Sequence, residues 1–381
     1  MRILVSPDKF KGSLSAHEAA EAIADGWRVV FPDAEYHLLP IADGGEGTAE
    51  IVCAARNGRW VEVTVADPLG RRILARYALL EEANERTAVL EMSEASGLAR
   101  VAAGERDLWR ATTLGTGELM AHAIRESKVS RLIIGIGGSA TNDGGAGMAA
   151  ALGYKFLDAA GAEIEPYPMG LLKLARIVAP AAKTPPVMVA CDVRNPLLGE
   201  RGATAIYGPQ KGLVAADRPR LEEGLERLAD VTRDCLGHDF REAPGAGAAG
   251  GLGFGLLSYC QAQLEPGFDL VADLIQLDQA VADADLVLTG EGSLDGQTLE
   301  GKGPAGVALL AKKHGKFVAA FAGRVAVDPS AEQGLRDLFN AVIPLAPGPL
   351  TFEESISRGR ELLRSAAVRA AGWVKIGGRL S

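Results

Sequence analysis

Arg2-Ile3-Leu4-Val5-Ser6-Pro7-Asp8-Lys9-Phe10-Lys11-Gly12-Ser13-Leu14-Ser15 is the stretch on which the fold turns. Ile3, Leu4 and Val5 make a short continuous apolar run, as expected of a strand covered on both faces. A loop with two lysines follows. Ser15 and Glu18 then form the reciprocal pair of a helix start, which predicts a helix to about Val30. Glu35–Leu39 reads as a second strand. Asp43 with Glu46 makes another cap-like pair, ahead of a helix through Arg56. Strand, helix, strand, helix implies a parallel sheet with both faces covered.

The rhythm changes after residue 60. Val61, Val63 and Val65 alternate with polar residues, and so do Ile73, Ala75, Tyr77 and Leu79. Asp67-Pro68-Leu69-Gly70 between them carries a type I turn signal, so the pair reads as an antiparallel hairpin. Thr87–Met92 would add a third strand. Thr113–Ser127 reads as a helix, Arg131–Gly135 and Pro186–Val193 as strands. Leu221, Leu225, Leu228 and Cys235 share one helix face. Gly250–Gln263 reads as helical despite its glycines. The βα rhythm returns with a strand at Leu286–Thr289, a helix at Pro304–His314, and strands at Phe317–Ala322 and Ala341–Leu345. Thr351 with Glu354 caps a last helix to about Ala371. The fold class is α/β with two domains. Residues 1–60 plus 284–381 form a discontinuous Rossmann-like α/β domain, and residues 61–283 an inserted mixed α+β domain. The two crossings would act as a hinge.

Composition narrows the function. The 381 residues carry 40 basic and 49 acidic side chains, a net charge of −9, and no long basic run. No nucleic-acid footprint is present. No apolar stretch is long enough to span a membrane, and the N-terminal apolar run is too short for a signal peptide. Four cysteines without a C-x-x-C pair read as buried thiols of a reducing compartment, so the cytoplasm is the expected location. Five scattered histidines give no zinc motif. The outlier is glycine, 47 residues, clustered in short loops after apolar runs.

Those loops carry the chemistry. Lys9 and Lys11 flank Phe10 next to a helix start, which suits a phosphate or carboxylate as well as a solvated loop. Ala42-Asp43-Gly44-Gly45-Glu46-Gly47-Thr48 offers backbone N–H groups to an anion, with Asp43 as the helix N-cap. Gly135–Gly145 contains G-x-G-x-x-A, but no acid-ended second strand follows to complete a dinucleotide fingerprint. Its Ser, Thr, Asn and Asp content suits a polyhydroxylated acid or a phosphate. Pro244–Gly250 holds a full G-x-G-x-x-G without a preceding strand. Asp192, at a strand end beside Asn195 and Pro196, is placed for Mg²⁺, for a general base, or for an Asx-turn. Lys211 sits in the glycine turn Gly208–Gly212. Gly296–Lys302 matches G-x-x-x-x-G-K, yet Gly303 replaces the Ser/Thr of a P-loop. Glu291 or Asp295 could face a metal there. Lysines, carboxylates and glycine loops at strand ends fit phosphoryl transfer.

Six of these strings, in order, resemble bacterial glycerate kinases: Ser6–Ser15, Ala42–Thr48, Gly137–Gly145, Asp192–Leu197, Gly208–Gly212 and Gly290–Thr298. The resemblance runs over essentially the whole chain. It implies a two-domain α/β enzyme that moves the γ-phosphoryl group of ATP to D-glycerate with Mg²⁺, most often at the 2-position. Ser293 departs from the pattern, since relatives often carry a basic residue there; Lys302 or Arg324 would then supply the cation. The roles expected on this reading place glycerate in an interdomain cleft. Ser139, Thr141, Asn142 and Asn195 bind substrate. Asp192, Lys9 and Lys11 are catalytic. Ser13, Gly44, Gly45, Gly137, Gly138, Lys211 and Lys302 bind phosphate or nucleotide, and Asp43, Glu291 and Asp295 hold the metal. Alternatives are a kinase for another small hydroxy acid and an NAD-dependent hydroxy-acid dehydrogenase. The state of association, monomer or homodimer, is left open.

Overall fold

The computed structural model describes residues 1–82, 85–296, 303–325 and 329–380. Its strands are β1 (Arg2–Val5), β2 (Glu35–Leu38), β3 (Arg59–Ala66), β4 (Arg72–Glu82), β5 (Glu85–Glu91), β6 (Arg131–Gly135), β7 (Lys155–Leu157), β8 (Arg176–Val178), β9 (Val187–Ala190), β10 (Gln263–Glu265), β11 (Leu286–Leu294), β12 (Phe317–Val325) and β13 (Ala341–Pro344). The chain divides into two compact units, Met1–Asp43 with Phe268–Ser381, and Gly44–Gly267.

The first unit is a five-stranded sheet in the order β13-β12-β11-β1-β2, parallel throughout. From β1 the chain winds outward to β2. On its return it winds the other way, through β11, β12 and β13. Strand order therefore reverses between β1 and β11, the switch point at which α/β sheets bind ligands beyond their carboxyl ends. The expected capping boxes are present at Ser15/Glu18 and Thr351/Glu354. The last helix is broken at Arg358 into Phe352–Ser357 and Gly359–Leu380. Small residues let the helices Ala16–Arg28 and Gly359–Leu380 meet closely: a Cβ on Gly26 would lie 2.5 Å from that of Ala367. Ala19, Ile23, Trp27, Leu363 and Ala367 fill this core.

The second unit is built on a six-stranded sheet, β10-β9-β6-β5-β4-β3. β3, β4 and β5 are antiparallel neighbours, while β5, β6, β9 and β10 run parallel. The hairpin turn closes with the Gly70 N–H on Asp67 O at 3.0 Å. The buried Asp67 carboxylate also accepts the N–H groups of Leu69 and Arg71, both at 2.8 Å. Leu90, Ile134, Val189, Leu225 and Phe254 belong to one continuous core. Short β7 and β8 form a separate antiparallel pair.

Three local expectations change. The helix Thr48–Ala55 packs on β4 and β5, so it falls in the second unit and not with the N-terminal residues. Helix Ala248–Cys260 begins with left-handed Ala249, Gly250 and Gly251, and it does so against the backbone at Thr141, where a Cβ on Gly250 would lie 1.8 Å from Thr141 O. Cys235 is exposed at the end of its helix, whereas Cys53 and Cys260 are buried; among the described residues no disulfide is present. Among the described residues no helix is long and apolar enough to cross a membrane.

Candidate active site

The switch point of the first unit gathers most of its expected chemistry. Pairing continues past β1, with the Ser6 N–H on Leu288 O at 2.7 Å and the Asp8 N–H on Gly290 O at 2.8 Å. This lays the Asp8–Lys11 loop along the end of β11. Gly292 makes room for it, since a Cβ there would lie 3.3 Å from the Lys11 nitrogen. The Asp8 side chain is buried, and its Oδ1 accepts the Lys9 N–H at 2.6 Å. Burial, then the neighbouring Asp43 charge, raises the Asp8 pKa to about 6, against the pull of Lys9. Lys9 Nζ lies 4.0 Å from Asp43 Oδ1. Lys11 is exposed, and Glu291 and Asp295 are half-buried. The helix Pro304–Lys313 starts beside this group, as a Cβ on its N-cap Gly303 would fall 3.3 Å from Asp8 Oδ2. In the sheet register Arg324 lies directly opposite Ser293. Ser13 faces elsewhere: its hydroxyl donates to Ile356 O at 2.7 Å. Lys302 lies outside the described residues.

The second unit presents its loops at the carboxyl ends of β5, β6 and β9. Asp43 does not cap the following helix. The N-cap is Gly47, in the left-handed region at φ 96°. The acceptor comes from Glu91 at the end of β5, buried, which takes the N–H groups of Gly47 at 3.1 Å and Ala49 at 2.7 Å. A carboxylate already occupies this helix start, the position expected to receive an anion. Gly44 (φ +84°) lies against β9, where a Cβ would come within 2.4 Å of Ala190 Cβ. A Cβ on Gly137 would be 3.1 Å from Gly45 Cα, so the two glycine loops touch, while Gly138 takes φ +73°.

The loop after β6 is held by two buried charges. Asp143 accepts from the Thr113 N–H at 2.7 Å, Thr113 Oγ1 at 2.8 Å, the Gly145 N–H at 3.1 Å and the Gly147 N–H at 3.2 Å. Burial raises its pKa and these donors oppose the rise. Lys211, 2% exposed, donates from Nζ to Ser139 Oγ at 2.6 Å and to Thr141 O at 2.7 Å. Burial lowers its pKa to about 7, with Asp143 acting the other way. Asn142 donates to Thr204 Oγ1 at 3.0 Å. The Thr141 hydroxyl is buried without a partner among the described residues. Asn195 bridges Arg201 O at 2.8 Å and the Tyr207 hydroxyl at 2.7 Å. Asp192 is half-buried past β9, and its Oδ1 accepts the Gly267 N–H at 2.8 Å.

Lys9, Lys11, Asp43, Glu291 and Asp295 thus share the first unit, and Gly44, Gly45, Gly137, Gly138, Ser139, Thr141, Asn142, Asp192, Asn195 and Lys211 the second. Sequence reasoning passed over Asp8, Glu91 and Asp143. Asp8 directly follows strand and proline, and Asp143 lies inside a quoted motif, so both carried a signal. Glu91 had none, because its partner helix is 42 residues away in sequence.

The model of the glycerate kinase family matches residues 3–375. The chain belongs to the glycerate kinase family. It is 45% identical to a glycerate kinase of Bacillus subtilis (strain 168), covering 99% of this chain and 98% of that one. It is 41% identical to glycerate 2-kinase of Escherichia coli (strain K12), over 100% and 99% of the two chains. A solved crystal structure named for glycerate kinase 2 of Salmonella typhimurium LT2 matches with a TM-score of 0.88 at 43% identity, covering 100% of this chain and 99% of that one. The fold is therefore that of a glycerate kinase, with one parallel and one mixed sheet, and the chain is a kinase by family.

Proposed function

We propose that this glycerate kinase family member transfers the γ-phosphoryl group of ATP to D-glycerate, giving 2-phosphoglycerate, as a protein of the cytoplasm. The observation that carries the reading is the group Asp8, Lys9 and Asp43 at the switch point of a parallel sheet, where lysine and carboxylate meet a helix start. Phosphoryl transfer requires positioned cations and carboxylates more than covalent chemistry. The dehydrogenase alternative finds no support in a chain of this family.

Among the described residues no group of three His, Cys, Asp or Glu side chains could by itself hold a metal ion. Mg²⁺ commonly takes one or two carboxylates and completes its shell with water and nucleotide phosphates. Asp8 and Asp43 fit that pattern, because the Asp43 charge reaches the buried Asp8 carboxyl. Asp43, with Glu291 and Asp295 as the further candidates, would hold the ion, which supplies charge neutralisation at the phosphates. Lys9 and Lys11 stabilise the charge on the transferring group. Asp192 accepts the proton of the attacking hydroxyl, or orients it. The glycine loops at 44–45 and 137–138 and the side chains of residues 139–142 and 195 contribute to binding. Arg324, beside Ser293, supplies the cation that Ser293 cannot. A coupled assay of ADP release, run with D-glycerate and a panel of other small hydroxy acids, tests the assignment. Turnover confined to another acid would replace the substrate and keep the kinase.

A further inference from the structure

Ser139 stands at the tip of the loop after β6, and its backbone is fixed on both sides. The Leu98 N–H bonds Gly138 O at 2.8 Å, and the Ala140 N–H bonds Ser96 O at 3.0 Å. Its side chain is 8% exposed. A serine hydroxyl offers one hydrogen and two lone pairs, whereas Lys211 in its protonated form, which prevails below about pH 7, only donates. The Lys211 contact at 2.6 Å therefore fills a lone pair of Ser139 Oγ and leaves the O–H hydrogen unused. Among the described residues that hydrogen has no acceptor. Lys211 itself is fixed, since its second hydrogen lies on Thr141 O at 2.7 Å and it is buried near Asp143.

We propose that Lys211 is a positioning residue that orients Ser139 as a hydrogen-bond donor for the carboxylate of the acceptor substrate. A carboxylate only accepts, so it matches a hydroxyl whose hydrogen is still unused. An adjacent donor also polarises the O–H and strengthens its next bond. Lys211 thus acts through Ser139 and does not touch phosphate. This inference rests on the reading of D-glycerate as the acceptor.

The test uses full-length protein with Ser139→Ala, Lys211→Met and the double variant. Losing a hydrogen bond to a charged group should raise KM for D-glycerate roughly tenfold or more in Ser139→Ala, with KM for ATP within about twofold of wild type. Lys211→Met should raise the same KM at least as far. The double variant should be no worse than Lys211→Met, because the two residues act in series. Amide hydrogen exchange across residues 138–143 should quicken roughly tenfold or more in Lys211→Met, as the loop loses its strut. A purely structural lysine would lower the folded fraction and leave KM unchanged. An unchanged KM for D-glycerate in Ser139→Ala, which removes only a small side-chain oxygen, would overturn the proposal even if Lys211→Met failed to fold. A shift in KM for ATP instead would overturn it too. Wild-type protein without turnover on D-glycerate would refute the kinase assignment and the substrate half of this inference together. The exchange measurement then decides the strut half alone.

Discussion

The Asp192 carboxylate accepts the Gly267 N–H at 2.8 Å, so the loop after β9 is tied to the last residue of the second unit. Gly44, the first residue of that unit, packs at the same place, because a Cβ on it would lie 3.2 Å from Gly267 Cα. The first and last residues of the second unit therefore lie side by side, close to the end of β9.

This bond separates the structural and chemical roles of Asp192. Asparagine keeps the accepting oxygen and loses the charge and the basicity. Asp192→Asn should fold with an unchanged melting temperature and lose ~10²-fold or more in kcat, the scale seen for general-base groups. Steady-state kinetics with a thermal melt checks both halves. A folded variant with near wild-type kcat would remove Asp192 from the reaction.

Lys11 is exposed, so its loss should cost the fold nothing. If it neutralises the transferring phosphoryl group, Lys11→Ala should lower turnover ~10²-fold or more, as for other preorganised charges. Near-normal turnover would mean that the lysine only serves solubility.

Glu91 satisfies the half-buried N–H of Gly47 and the buried N–H of Ala49. Glu91→Ala leaves them without an acceptor and should destabilise the protein by about 1–3 kcal/mol. Urea unfolding measures this. Glu91→Gln keeps one accepting oxygen and should lose less.

Lys211 makes stability depend on pH. Its folded pKa of about 7 lies below the ordinary lysine value of 10.5, so the unfolded chain holds more protons between them. The cost of burying the charge is complete below pH 7 and fades as pH rises toward 10.5. Wild-type stability should therefore gain on that of Lys211→Met between pH 7 and about 10. Urea midpoints at several pH values check it, and parallel curves would contradict it.

The parallel sheet of the first unit was legible from periodicity and capping, because Ile3–Val5 and Ser15/Glu18 are local signals. The hairpin around Asp67–Gly70 was legible for the same reason. The cap of helix Thr48–Ala55 was not. Asp43 and Glu46 imitate a local cap, while the true acceptor, Glu91, arrives from a strand. The site was legible as a set of loops but not as a set of contacts. Lys211 reads as a phosphate lysine in sequence, yet the fold buries it under Ser139. Asp8 looks like a loop residue until β1 and β11 close around it. Burial and long-range pairing decide these roles, and neither is encoded in local spacing.

The most direct test is incubation of the purified protein with Mg·ATP and D-glycerate, followed by ³¹P NMR of the product. The account predicts a 2-phosphoglycerate resonance that grows with ADP. Folded protein that forms no phosphoester would contradict it.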